Sequence, residues 1–78
     1  MAREKRIAEL EERLTQSEMT LEQLRSIRGK LEEFRRSVAS HLSQKQIDEM
    51  IALNGDAIMA TDRIRAEIEK ALRLLYSK

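Results

Sequence analysis

The side chains that most often carry nucleophilic, acid–base or metal chemistry near neutral pH are almost missing, since the 78 residues include one histidine, His41, and no cysteine. A metal site built on His41 lacks the second imidazole or thiolate that zinc-type centres use. No motif places a hydroxyl or thiol nucleophile beside it. The other candidates are carboxylates in adjacent pairs, Glu11-Glu12, Glu32-Glu33 and Asp48-Glu49. Acid–base catalysis needs two carboxyl groups that converge, and neighbours on a helix point about 100° apart. These pairs therefore read as solvated charges. The residues predict no enzyme, no metal and no cofactor, and His41 is expected at the end of a first helix, where a polar or cationic group suits the negative end of the dipole.

Composition narrows the elements that could carry any function. A chain of this length forms one domain, residues 1–78, and buries too little surface to be comfortably stable without help. Without cysteine there is no disulfide, so a partner chain is the expected source of that help. No proline or tryptophan, one Phe, one Tyr, 37% charged and 41% apolar residues suit long amphipathic helices and leave little for a sheet. The expected class is all-α. Charge cancels locally as well as globally: residues 1–41 hold nine Lys/Arg against eight Asp/Glu, and residues 42–78 six against six. With no basic face to neutralise phosphates and almost no aromatics to stack bases, no nucleic-acid partner is expected. No apolar run approaches the ~20 residues of a membrane span. Nor does an apolar segment follow Met1-Ala2-Arg3-Glu4-Lys5-Arg6 as in a signal peptide, and the expected address is the cytoplasm.

Periodicity supplies the helices. From Ile7, the residues Leu10, Leu14, Leu21, Leu24, Leu31, Val38 and Leu42 fall on a seven-residue repeat, which is coiled-coil spacing. Ser17, Arg28 and Arg35 occupy the other seam positions, and Ile27 and Phe34 sit one residue earlier, widening the face. Thr15 to Thr20 could start a new helix, because Thr15/Glu18 and Thr20/Gln23 fit a capping box. The repeat keeps its phase across them, which favours one helix over a separate short N-terminal one. The second arm carries Ile47, Met50, Ile51, Asn54, Ala57, Ile58, Thr61, Ile64, Ile68, Ala71, Leu72 and Leu75. Gly55 between Asn54 and Asp56 could divide it, but the period again continues.

The reversal is expected at Leu42-Ser43-Gln44-Lys45-Gln46-Ile47, where Ser43 serves as N-cap, Gln46 completes a capping box and Leu42 packs on Ile47 as a staple. Helix 1 then covers about residues 3–41, the turn 42–43 and helix 2 about 44–76. The result is an antiparallel helical hairpin whose longer first arm leaves about eight N-terminal residues unpaired. Asn54 and Thr61 lie at seam positions, where a polar group either fixes register or is merely tolerated.

Apolar side chains outside the seam are the residues expected to bind a partner. They are Leu53, Met59, Ala60, Leu74 and Tyr76 on the second arm, with Ile27 and Phe34 on the first. The Leu42-Ser43 corner with Gln46 resembles the Leu-Ser-x-x-Gln turn of a known family, the small helical-hairpin co-chaperones of type III secretion needle subunits (the YscE/EscE type). Ala57, Ala60, Thr61 and Ile64 resemble its small-residue stretch, and Leu31 and Val38 its aliphatic positions. Ile47 replaces a common aromatic and Thr61 a common alanine. The resemblance implies a cytoplasmic protein without enzymatic activity that binds a tetratricopeptide-type chaperone and, with it, keeps the needle subunit soluble and monomeric before export. The alternative from another class is a homodimeric four-helix bundle with a scaffolding or regulatory role.

Overall fold

The computed structural model describes residues 2–77 and contains two helices of equal length, α1 (Ala2–Ser37) and α2 (His41–Tyr76), packed antiparallel. At ~1.5 Å per residue, 36 residues span roughly 54 Å, and the molecule measures 59 × 14 × 14 Å. The all-α hairpin expected from composition is what forms.

The α1 seam follows the repeat read from Ile7. Leu10, Ser17 and Leu21 are buried, while Ile7, Leu14, Leu24, Leu31, Arg35 and Val38 are half-buried. Neither interruption occurs. Thr15 donates to the Glu11 carbonyl at 3.1 Å, Thr20 to Gln16 at 2.9 Å and Ser17 to Leu14 at 2.8 Å. Hydroxyls engaged with their own preceding turn are not available to cap a new helix, so α1 runs through. Across Gly55 the second helix is likewise continuous, with no positive φ among the described residues.

The turn lies elsewhere than the sequence suggested. Ser40, not Ser43, is the N-cap: its backbone is extended (φ −69°, ψ 125°), and its hydroxyl accepts from the Ser43 N–H at 3.4 Å. The reversal is therefore residues 38–40, helix 1 ends at Ser37 instead of 41, and helix 2 begins at His41 instead of 44. Gln44 donates to the Val38 carbonyl at 2.8 Å, covering an acceptor left at the end of α1. Leu42, the expected staple, lies within α2 and is 68% exposed. His41 opens α2 instead of closing α1, at the positive end of a dipole. Moving the turn equalises the arms, so the expected overhang disappears and Arg3 donates to the Leu75 carbonyl at the open end.

A cross-helix bond fixes the register. The Asn54 amide Nδ2 donates to the Leu24 carbonyl at 3.1 Å, while its Oδ1 is buried with no partner among the described residues. Near the turn, Arg35 pairs with Asp48, Nη2 reaching Oδ2 at 3.2 Å. The guanidinium holds the Asp48 carboxyl below its ordinary range, chiefly by hydrogen bonding. That register selects one stripe of α2 for the seam: Ile47, Ile51, Asn54, Ile58, Thr61, Arg65, Ile68, Leu72 and Leu75, spaced alternately four and three residues apart and all buried or half-buried. Ile64 and Met50, counted on that stripe from sequence, are more than half exposed, and Arg65 takes the seam position beside Ile64.

Candidate functional site

Two helices can close only one seam, and what lies along its two edges differs. On one edge the seam is rimmed by polar bonds. Arg65 donates to Asp62 at 2.8 Å and to Glu69 at 2.6 Å, Arg35 holds Asp48, and the Tyr76 hydroxyl donates to Glu11 at 2.7 Å. The bond to Glu11, more than burial, raises the Tyr76 phenol above its usual pKa. Half-exposed ion pairs of this kind contribute little stability, but they give this edge a charged surface.

The opposite edge is apolar on α2 and mixed on α1, where Arg6, Arg13 and Thr20 stand with Ile27 and Phe34. In an antiparallel hairpin the residues immediately preceding the seam positions that follow four-residue steps lie on one common side of both helices. In α2 these are Met50, Ala57, Ile64 and Ala71; in α1 they include Arg6, Arg13, Ile27 and Phe34. A shallow open groove on this side is lined by Arg6, Leu10, Arg13, Arg63, Ile64, Glu67, Ile68 and Ala71, consistent with that assignment.

One step further round α2 stand Leu53, Ala60, Glu67 and Leu74. Together with the edge residues they make a second stripe, Met50, Leu53, Ala57, Ala60, Ile64, Glu67, Ala71 and Leu74, spaced alternately three and four residues apart. The helix thus carries two heptad stripes. The first is covered by α1, and the second is open: Leu53 is 68% and Ile64 56% exposed. The stripe is a run of exposed and half-buried side chains along one side of α2, apolar except for Glu67.

The expected partner-binding residues divide over this geometry. Leu53, Ala60 and Leu74 lie on the second stripe, and Ile27 and Phe34 beside it on the same open side, all exposed. Met59 and Tyr76 are exposed but do not join them. Met59 points to the back of α2, and Tyr76 belongs to the charged edge through Glu11. Sequence reasoning assigned Met50, Ala57, Ile64 and Ala71 to the intramolecular seam. Their three-and-four spacing with Leu53, Ala60 and Leu74 was the signal that places them on a second one.

Among the described residues no group of three or more His, Asp or Glu side chains is arranged to hold a metal ion, and no helix is long and apolar enough to cross a membrane. Comparison with protein-family models, with curated proteins and with solved structures finds no match.

Proposed function

We propose that the hairpin is a non-catalytic docking subunit whose second α2 stripe takes a helical protein partner. The observation that carries this reading is the stripe itself: an uncovered heptad pattern along α2, on a molecule whose one internal seam is already closed. The resemblance, which rests on sequence alone because Leu42 and Ser43 lie within α2 and not at the turn, gives the partner its specific form. On that reading the protein is a type III secretion co-chaperone acting in the cytoplasm, it binds a tetratricopeptide-type chaperone, and the pair keeps the needle subunit monomeric before export. Helical repeat proteins present concave grooves that accept an amphipathic helix by its apolar face, which is what this stripe offers.

The test is capture of tagged protein from its native host, with the bound chain identified by mass spectrometry, for wild type and Leu53→Glu. The wild type should bring down a tetratricopeptide-type protein and the needle subunit. The variant should lose both while keeping its helical spectrum, because a charge forced into an apolar interface is desolvated without a partner. Absence of such a chaperone from the wild-type capture would overturn the specific reading. Undiminished capture by Leu53→Glu would remove the stripe from it.

A further inference from the structure

We infer that a second copy of this chain covers the same stripe when no foreign partner is present, with the two α2 helices antiparallel about a two-fold axis between Ala60 and Ile64. The inference uses the docking stripe but does not require that a foreign partner exists.

Three features support it. The first is volume. Around that axis Ala60 lies level with the partner's Ile64 and Leu53 with the partner's Ala71, so small residues meet large ones and the helices can approach closely. Met50 and the partner's Leu74 close the two ends. A parallel arrangement would instead set each residue against its own kind, alanine on alanine.

The second feature is charge. The row bordering the stripe on its outer side reads Glu49, Asp56, Arg63 and Lys70, acidic in its first half and basic in its second. With the axis between Ala60 and Ile64, antiparallel pairing brings Asp56 within two residues of level with the partner's Lys70, twice by symmetry, while Arg63 lies beside the axis near its own copy. Parallel pairing would set acid on acid and base on base. An isologous interface must be self-complementary, and the Asp56–Lys70 pair, made twice across the axis, meets that requirement.

The third feature is the one charged member of the stripe, Glu67, which would face the partner's Ala57. It shares its groove with Arg6, Arg13 and Arg63. These cations line the same groove on one protomer, so Glu67 does not enter the interface far from positive charge.

Sedimentation equilibrium on the purified full-length chain tests the proposal without any partner. The wild type should sediment as two copies of the 9.1 kDa chain. Ala60→Glu and Leu53→Glu should each give a monomer whose circular dichroism remains helical, since both sites lie outside the intramolecular seam. Lys70→Glu should weaken the dimer about tenfold, because two symmetry-related attractions become repulsions. Adding Asp56→Lys to it should restore the affinity, which a parallel dimer cannot explain. A wild-type monomer at ~100 μM would overturn the proposal, as would a dimer indifferent to Ala60→Glu and Leu53→Glu. A dimer that Lys70→Glu leaves unchanged would overturn the antiparallel pairing. A monomer that still captured the tetratricopeptide-type chaperone would leave the docking reading standing, and a dimer that captured nothing would leave only this one.

Discussion

Replacing Asn54 with leucine should make the hairpin more stable, and the structure says by how much. Asn54 is only 8% exposed, donates one bond to the Leu24 carbonyl and leaves its Oδ1 buried without a partner. The substitution removes a bond whose net contribution is about 0.5–1.5 kcal/mol, and the Leu24 carbonyl keeps its ordinary helical donor. It also removes an unsatisfied acceptor costing about 1–3 kcal/mol and buries an apolar side chain of similar shape for about 1.5–3 kcal/mol. The balance is a gain of about 1–5 kcal/mol. That is large for a domain this small, whose total is a few kcal/mol. Urea unfolding followed by circular dichroism reads it as a raised midpoint with unchanged slope. What should be lost is register, because Asn54 is the buried amide that ties the middle of α2 to one level of α1; cross-linking between cysteines placed at Leu31 and Ile47 should become less selective. An Asn54→Leu variant less stable than wild type would refute the reasoning, since it would show that the amide is fully satisfied.

Other perturbations test the remaining elements. Ser40→Ala should cost about 0.5–2 kcal/mol through loss of the α2 cap, and Ser43→Ala distinctly less; thermal melts compare them directly. Gly29→Ala and Gly55→Ala should each stabilise by about 0.5–1 kcal/mol, because both glycines are helical and a Cβ at either would meet nothing within 4 Å. Tyr76 is the single tyrosine, so ultraviolet titration reads it alone. Its phenol should ionise above the ordinary range, and Glu11→Gln should bring it back down by removing the carboxylate that opposes the phenolate.

The helices were legible because period is a property of local sequence. The α1 stripe from Ile7 to Val38 is the one the structure buries or half-buries, polar Ser17 and Arg35 included, except for Arg28, whose side chain stays exposed and pairs with Glu32. The turn was less legible because Ser37, Ser40 and Ser43 are equivalent caps by residue type, three residues apart. The Leu42–Ile47 staple pointed to Ser43, whereas pairing two arms of equal length selects Ser40. The phase of α2 was ambiguous for a different reason. Two interleaved apolar stripes run along the helix, and apolarity alone favours Ile64 over its neighbour Arg65. Cross-helix register decides otherwise, because Asn54 against Leu24 and Asp48 against Arg35 turn Arg65 inward, where Asp62 and Glu69 hold its charge at the rim. For that reason Ile27 and Phe34, at the positions before Arg28 and Arg35, stay outside the seam as well.

The division of α2 into a covered and an open stripe is tested most directly by melting Leu72→Ala beside Ile64→Ala at high dilution, where self-association does not contribute. Both are large aliphatic residues on the same helix and both were counted on one stripe from sequence, but Leu72 is 6% exposed and Ile64 56%. Leu72→Ala should lose about 2–5 kcal/mol, enough to unfold much of the population, while Ile64→Ala should lose under about 1 kcal/mol. Equal losses would mean that the two residues share one seam and that α2 has no second stripe to offer.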